Sequence, residues 1–330
     1  MKLFKQLLAL ILVIAIFIGI NGAAYLFMTQ KLSANYGEIT QIKMIDLAKY
    51  LPFEETSELA RINSSFKLNE GDDLPVLDGA SALVPIYASV IDSVYPKGCV
   101  TYEGGVFSDD NYYGENFSED SAMQYKNTVR GYTAIVDGET DILFCAAPSA
   151  EQRKYAEEQG VELVYVPIGL EAFVFFVNNE NPVDDLTADE IRDIYAGEIK
   201  NWNKVGGPNR VINPVSRIEG SGSQTMMEKF MGEREIGKKS LFAFTGASIG
   251  FSFRYYLDGM IGNDGVKMLS LGGVYPSEEN IKNGTYPIVA EFYAIYRADN
   301  DNPNIKPLID WLLSEEGQEL IKECGYVGIK

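Results

Sequence analysis

The hydrophobic positions of this chain form one long N-terminal run, followed by a series of shorter apolar segments. Residues 7–20 are apolar without interruption, and the apolar character resumes at residues 23–28. About 22 residues of this kind are enough to cross a bilayer as a helix. Because Lys2 and Lys5 precede the run, the positive-inside rule keeps the short N-terminus in the cytoplasm. Residues 1–30 are therefore predicted to be a cytoplasmic tip and a transmembrane anchor.

A cleavable signal peptide is the alternative interpretation of the same run. Its cleavage site would lie at the small residues 22–24. An uncleaved anchor is favoured, because apolar residues continue beyond that site and the hydrophobic part of a signal peptide is usually only about 7–15 residues long. We therefore expect a cell-membrane protein with a single N-terminal span, residues 7–28, and an extracytoplasmic remainder.

Beyond the anchor the pattern changes twice. Residues 31–73 are polar and acidic with weak helical periodicity, and we interpret them as an extracytoplasmic stalk. After them, extended and helical patterns alternate. The extended segments are residues 74–77, 141–147, 161–166, 171–178, 211–215 and 286–297, and the helical segments are residues 83–94, 131–137, 149–159, 186–195, 224–231 and 305–325. Strands that alternate with helices predict an α/β fold with a parallel sheet covered on both faces.

Small and hydroxyl residues gather in three loops that precede predicted helices. These are residues 78–82, the loop around Thr128, and residues 217–223. Open α/β sheets bind ligands beyond the carboxyl ends of their strands, and the free N–H groups of a helix's first turn attract anions. Each loop by itself also fits an ordinary turn or helix cap, so the prediction of an anion site depends on their combination.

The third of these loops has the most specific chemistry. Its glycines allow the backbone to approach a ligand closely, and its serines add hydroxyl donors. Arg217 offers a planar fork of donors that suits a tetrahedral oxyanion or a carboxylate. Glu219 follows two residues later and is expected to hold that fork in place. The alternative is an ordinary serine N-cap beside a surface arginine.

The composition narrows the function further. The net charge of −19 argues against nucleic acid as a partner, because binding to a phosphate backbone needs a clustered excess of lysine and arginine. The absence of histidine excludes Ser-His-Asp catalysis and His-ligated zinc. Cys99, Cys145 and Cys324 are widely spaced without a metal-binding motif, so we expect neither a metal site nor a cofactor. We expect them to be buried thiols, with one disulfide as the alternative.

Several short blocks of sequence carry a family resemblance. In order, they are Asn181-Pro182-Val183 with Leu186-Thr187, Ile194-Tyr195-Ala196-Gly197 with Asn201-Trp202, Val205-Gly206-Gly207, the loop of residues 217–223, Tyr275-Pro276 with Asn280-Ile281, and Tyr286-Pro287-Ile288. Together they resemble the phosphate-binding solute receptors of phosphate ABC transporters, in the type II periplasmic-binding-protein superfamily. The resemblance extends over residues 74–330.

The resemblance implies a two-lobe periplasmic-binding-protein fold, in which two α/β sheets are joined by hinge strands and close on an anion in the cleft. Residues 74–169 and 289–330 would form the first lobe, and residues 170–288 the second. The family's ligand positions fall on residues of both lobes: Ser81, Ala82, Thr128, Arg217, Ser221, Gly222 and Ser223. Glu219 falls on the carboxylate partner of the arginine.

At one position the sequence departs from the family pattern. The family's phosphate-reading aspartate falls on Ala146. A buried carboxylate accepts a hydrogen bond only from a protonated oxyanion, so it selects hydrogen phosphate and repels fully ionised anions. Alanine lacks this filter. Arg130 stands where the family usually has a small residue, and it either adds a second positive charge to the cleft or is a solvated arginine at the start of a helix.

The function implied by the resemblance is that of a membrane-anchored extracytoplasmic receptor, which binds a small oxyanion such as phosphate and presents it to an ABC permease. The alternative is a surface-tethered sensor or partner-binding module that uses the same cleft and is not dedicated to transport; the uncleaved anchor and Ala146 favour it. An enzyme is the third hypothesis. Without histidine it would need a carboxylate pair or a Ser-Lys arrangement, and no such spacing stands out, so we expect no catalytic residues.

Overall fold

The computed structural model describes residue 19 and residues 45–107, 113–237, 247–260 and 265–330. Apart from Gly19, the predicted anchor lies outside the described residues, as does the first part of the predicted stalk. Among the described residues, no helix is both long enough and apolar enough to cross a membrane.

The described chain alternates between strands and helices. The strands are β1 (Leu77–Gly79), β2 (Tyr102–Phe107), β3 (Tyr113–Phe117), β4 (Ile142–Ala146), β5 (Leu163–Asn178), β6 (Asp185–Leu186), β7 (Ile212–Pro214), β8 (Ala247–Phe253), β9 (Val266–Met268), β10 (Ser270–Leu271), β11 (Val289–Arg297) and β12 (Val327–Gly328). The α-helices are α1 (Val84–Val94), α2 (Asn127–Asp137), α3 (Ala150–Glu158), α4 (Ala188–Ala196), α5 (Gly222–Met231), α6 (Glu278–Lys282), α7 (Ile305–Leu312) and α8 (Glu315–Glu323). Short 3₁₀ turns at Leu47–Tyr50, Ser81–Leu83 and Trp202–Lys204 and a π-helical turn at Tyr256–Met260 complete the set.

The helix starts follow from local capping chemistry. Thr187 caps α4 and forms a capping box with Glu190, and Ser149 forms a second capping box with Gln152 at the start of α3. Ser221 caps α5, where its side chain accepts from the Gln224 N–H. The predicted helix at residues 305–325 is instead two helices, α7 and α8, because Ser314 caps a new helix and accepts from the Gly317 N–H.

One continuous sheet runs through the molecule in the order β1-β4-β11-β5-β8-β7, with β9 and β12 also paired to β5. The pairs β1/β4 and β7/β8 are parallel, whereas β11 is antiparallel to both β4 and β5, and β5 is antiparallel to β8. The prediction of a parallel sheet is therefore wrong for its central strands. They differ because the chain crosses the molecule along β5 and returns along β11 in the opposite direction.

The two extended segments predicted at residues 161–166 and 171–178 form one 16-residue strand, β5. Pro167, which directly follows the first predicted segment, lies inside the strand. It stands opposite Tyr293, next to a register shift between Phe292 and Tyr293. A proline is tolerated at such an irregularity because its missing N–H does not break a regular ladder.

Two large hydrophobic cores divide the molecule into two lobes. Along β5, Ile168 belongs to the first core and Ala172 to the second core. Where the chain returns, Ile288 still belongs to the second core and Phe292, in β11, belongs to the first core again. The strands β5 and β11 therefore connect the two cores. A smaller third cluster packs on the other face of the first lobe, around Tyr132, Leu143 and Ile295 and their neighbours.

The described part of the predicted stalk, residues 45–73, packs against the first lobe. Leu47, Tyr50, Leu59 and Leu68 are buried in the first core. The Leu68 N–H donates to the Val94 carbonyl at 2.8 Å, and the Phe53 N–H donates to Asp92 Oδ1 at 2.5 Å, so the segment follows α1. The interpretation as a stalk is wrong here, because apolar residues spaced too irregularly for a helix still supply a buried surface.

The three cysteines are free thiols in the structure. Cys145 and Cys324 are buried, as expected, and burial raises the pKa of each to about 12. Cys99 is half-buried, and the same cause raises its pKa to about 11. These thiols are therefore poorly reactive, and the disulfide alternative is not found.

Candidate functional site

A cavity of about 410 Å³ lies between the two lobes. Nine of the ten residues proposed from the sequence line it: Ser81, Ala82, Thr128, Arg130, Ala146, Arg217, Ser221, Gly222 and Ser223. The structure thus brings together loops that lie up to 142 positions apart in the chain, from Ser81 to Ser223. That these residues bind a ligand remains a prediction.

A buried carboxylate fixes the two loops that the first lobe contributes. Asp78 Oδ1 accepts from the Gly79 N–H at 2.7 Å and from the Lys126 N–H at 2.9 Å. The loop after β1 and the start of α2 are therefore held by one side chain, which sets the spacing between Ser81 and Thr128. Burial raises the pKa of Asp78 to about 6.

Backbone donors in the first loop point away from their own helix. In the 3₁₀ turn Ser81–Leu83 the first hydrogen bond runs from the Leu83 N–H to the Ala80 carbonyl at 2.8 Å, so the N–H groups of Ser81 and Ala82 precede it. The Ser81 hydroxyl is 2.5 Å from the Tyr125 hydroxyl, and the Tyr326 O–H donates to the Ala82 carbonyl. These two contacts hold the turn at the edge of the cavity, which Ser81, Ala82 and Tyr326 all line.

The second lobe contributes the loop before α5. The Ser221 N–H donates to the Ile218 carbonyl at 3.1 Å, and Gly220 has a φ of +74°, which only glycine adopts freely. Gln224 Oε1 accepts from the Arg217 N–H at 3.0 Å and so ties the loop to the first turn of the helix. The free N–H groups at this N-terminus belong to the residues that line the cavity.

Gly222 lets the start of α5 approach the first lobe closely. A Cβ at this position would lie 3.5 Å from Ala146 Cβ and 3.7 Å from the Phe253 ring. A larger side chain would therefore occupy the space between the lobes. In addition, Gln152 Nε2 on α3 donates to the Gly220 carbonyl at 3.1 Å, which is a direct hydrogen bond between the lobes.

Arg217 is the cation best placed to attract an anion. Its side chain lines the cavity and is half-buried, and within the described part of the chain its guanidinium makes no hydrogen bond or ion pair. Burial lowers its pKa, and nearby Tyr256 opposes this change, yet a guanidinium remains charged in proteins. A desolvated cation without a partner is costly, so the arrangement favours an anionic ligand.

The expected partnership between Glu219 and Arg217 is not found. Glu219 is exposed and does not line the cavity, and no ion pair joins the two among the described residues. The reverse turn that begins at Ile218 separates their side chains. Glu219 is therefore the one sequence-proposed residue that lies outside the site.

The structure adds a buried carboxylate that the sequence reasoning did not select. Glu171 lies in β5, lines the cavity and is 4% exposed. Its Oε1 accepts from the Ala172 N–H at 2.9 Å and its Oε2 from the Tyr255 N–H at 3.3 Å, while Arg254 Nε lies 3.7 Å away. Burial raises the pKa of Glu171 to about 7, although Arg254 lowers it. The signal for Glu171 in the sequence was that this one charged residue directly precedes the apolar run 172–177.

Comparison with known proteins shows which proteins this chain resembles in sequence. Residues 110–316 match the PBP superfamily domain. The phosphate-binding protein PstS of Borreliella burgdorferi is 28% identical over 208 residues, which are 56% of this chain and 72% of that protein. The phosphate-binding protein PstS of Bacillus subtilis is 27% identical over 237 residues, which are 67% and 75% of the two chains.

A solved structure extends the similarity to the fold. It is a substrate-binding protein from Clostridium perfringens, assigned to a phosphate ABC transporter and solved with bound phosphate. The two chains align with a TM-score of 0.57 at 22% identity, over 78% of this chain and 99% of that one. The two-lobe α/β architecture is therefore shared.

Proposed function

Because this chain belongs to the PBP superfamily, we propose that it is an extracytoplasmic binding protein that captures phosphate between its lobes and presents it to an ABC permease. In this proposal residues 7–28 are the membrane anchor. Residues 74–169 and 289–330 are the first lobe, and residues 170–288 are the second. The cleft is a binding site and not a catalytic one.

The observation that carries the proposal is the convergence of donors from both lobes on one cavity. The first lobe brings the amides of the turn at Ser81 and the start of α2, and the second brings the start of α5 and Arg217. A tetrahedral oxyanion suits such a set, because each of its oxygens accepts hydrogen bonds from a different direction. Binding then requires both lobes at once, which couples capture to closure.

The acidic character of the protein is compatible with anion capture. A net charge of −19 repels anions at long range, so affinity has to come from groups that contact the ligand. Backbone N–H groups and one desolvated guanidinium meet that requirement, because their interactions are strongest where water is excluded. The phosphate-binding relatives from Borreliella and Bacillus support the choice of phosphate.

Calorimetric titration of the purified full chain with inorganic phosphate tests the proposal. We expect saturable binding that Arg217→Ala weakens by about 2 kcal/mol or more, the scale of a lost charge-assisted hydrogen bond. Arg210→Ala is the matched control, because Arg210 is an exposed arginine of the same lobe outside the cavity. Absence of phosphate binding, or equal effects of the two variants, would contradict it. Phosphate uptake is then measured in cells that lack the protein. Loss of uptake indicates a role in transport, and unchanged uptake indicates a role in sensing.

A further inference from the structure

The cavity is larger than a phosphate ion needs. At the ~30 Å³ that a water molecule occupies in the liquid, one phosphorus and four oxygens fill at most ~150 Å³. The cavity measures about 410 Å³, which lies in the range of roughly 300–1,000 Å³ found for sites that hold organic ligands. More than half of the space is therefore left over once the anion is in place.

This volume does not come from lobes that stand apart. Gln152 already donates to the Gly220 carbonyl across the cleft at 3.1 Å. The Gly222 backbone lies against Ala146, where an added Cβ would be 3.5 Å from the alanine methyl carbon. The lobes therefore touch beside the cavity, and the leftover space lies in a cleft whose walls are in contact.

Aromatic and aliphatic side chains form much of the lining of the cavity. Phe253 at the end of β8, Phe292 in β11 and Tyr326 before β12 all contribute to it, with Leu83 and Tyr256 beside them. Phe292 and Tyr326 are 3% and 2% exposed and their rings meet at 5.4 Å, so this wall is rigid. The Tyr326 hydroxyl donates to the Ala82 carbonyl, and its ring packs against those of Tyr255 and Phe292.

The mouth of the cavity is apolar as well. Val129 on α2 and Ile218 in the loop before α5 both line it, one from each lobe. Their exposed fractions are 42% and 80%, so both present apolar surface at the mouth. For a bare phosphate ion these residues make no favourable contact, whereas an apolar group on the ligand would cover them.

The carboxylates in the cavity do not oppose an anionic head group. Glu171 is turned towards the N–H groups of Ala172 and Tyr255. Glu291 accepts from the Tyr293 hydroxyl at 2.6 Å. Both are thus directed to donors of the protein, and the cations that line the cavity are Arg130 and Arg217.

We propose that the ligand of this cavity is an organic phosphate, that is, a phosphate monoester or a phosphonate whose remaining substituent is apolar. The proposal rests on the oxyanion-binding function argued above and adds the second half of the ligand. The oxyanion head occupies the amides and Arg217, and the apolar substituent lies between Phe253 and the two exposed residues of the mouth, Val129 and Ile218. Burial of that substituent removes both its own carbon and these apolar side chains from water, which favours binding.

Calorimetric titration of the full chain with inorganic phosphate, phenylphosphonate and phenol tests this. We expect phenylphosphonate to bind at least about tenfold more tightly than phosphate, as a filled hydrophobic pocket gives. Phenol, which lacks the oxyanion, should give no measurable binding at the same concentrations. Arg217→Ala should weaken both anions, because both use the same head-group site.

Exposed residues of the mouth allow a second test without disturbing the core. Val129→Ser and Ile218→Ser should each lower the affinity for phenylphosphonate about fivefold more than the affinity for phosphate. Tyr275→Ser is the matched control, because Tyr275 is 48% exposed and lies outside the cavity. It should leave the ratio of the two affinities unchanged.

The outcomes separate this inference from the proposed function. If phosphate binds as tightly as phenylphosphonate or more tightly, the organic substituent is wrong and the oxyanion receptor stands. Phenylphosphonate could bind more tightly than phosphate while Val129→Ser, Ile218→Ser and Tyr275→Ser all have the same effect on the ratio of the two affinities. The substituent then lies elsewhere, and the inference also fails. If neither anion binds in an Arg217-dependent manner, the proposed function fails and the inference fails with it.

Discussion

Glu171 shows how a single side chain connects the cavity to the frame of the molecule. Its carboxylate accepts from the Tyr255 N–H at 3.3 Å and faces Arg254, whose Nη2 donates to the Gly325 carbonyl at 3.0 Å. The connecting strand β5, the segment after β8 and the C-terminal segment therefore meet at one ion pair. Burial makes the charged form of this carboxylate costly, which explains its raised pKa.

The pKa of Glu171 predicts a pH dependence of stability. Its ordinary value of 4.5 is raised to about 7 in the folded state. Below about pH 4.5 both states hold the proton, and between about pH 4.5 and pH 7 only the folded state does, so the free energy of unfolding falls as the pH rises through this window. The total loss from this group is about 3 kcal/mol.

Glu171→Gln removes that titration. We expect its free energy of unfolding, relative to the natural chain, to rise by about 3 kcal/mol between about pH 5 and about pH 8 in urea unfolding experiments. Glu291→Gln is the control, because it removes an exposed carboxylate from the same cavity. A constant stability difference between Glu171→Gln and the natural chain across this range would refute the assignment.

Ala146 is predicted to set which ionisation state of the anion the cavity accepts. Its methyl group faces the Gly222 backbone, where a carboxylate would stand beside the bound anion. We expect Ala146→Asp to raise the ratio of phosphate to sulfate affinity at least about tenfold, because phosphate can donate a proton to the new carboxylate and sulfate cannot. Ala147→Asp, which adds the same charge outside this cavity, should leave the ratio unchanged. Competitive titration with both anions measures it, and an unchanged ratio in Ala146→Asp would count against this geometry.

Among the elements, the helix starts were the most predictable part of the fold. A cap such as Thr187 with Glu190, or Ser221 with Gln224, is decided by residues three positions apart, so the sequence contains all the relevant chemistry. The direction of the central strands was not predictable in this way. Whether β11 runs parallel or antiparallel to β5 depends on where the chain returns, about 120 residues later.

The cap of α5 is predicted to have both a stabilising role and a binding role, and a comparison of two caps separates them. Ser221→Ala and Thr187→Ala should each lower the free energy of unfolding by about 1 kcal/mol, because each removes an N-cap acceptor. Only Ser221→Ala should also weaken phosphate, by about tenfold, because only Ser221 lines the cavity. Denaturation and calorimetry on the same samples measure both quantities. Equal affinities of the two variants would place the Ser221 hydroxyl outside the binding set.

At the scale of the whole molecule, the sequence pointed to the polar residues that line the cavity but not to its apolar walls. Residues such as Ser81 and Arg217 stand in loops with recognisable small-residue patterns, and the family resemblance aligned them. Phe253, Phe292 and Tyr326 come from three segments that are apolar for their own packing reasons, so nothing local marks them as cavity residues. They meet only because β5 and β11 connect both lobes, which is a property of the complete topology.

The hydrogen bond between the lobes predicts how closure is controlled. Gln152 Oε1 accepts from the Ser149 N–H at 2.8 Å and so caps α3, while Nε2 donates to the Gly220 carbonyl at 3.1 Å. Gln152→Glu keeps the capping acceptor and replaces the donor by a charged oxygen that repels that carbonyl. The variant should therefore retain its stability and populate a conformation with open lobes. It should bind phosphate about tenfold more weakly, since binding then has to supply the free energy of closure.

Small-angle scattering measures this opening. Without ligand the Gln152→Glu variant should show a larger radius of gyration than the natural chain, and saturating phosphate should restore the natural value. Gln159→Glu places the same charge at the far end of α3 and should change neither quantity; if it matched Gln152→Glu, helix charge and not the contact between the lobes would control closure.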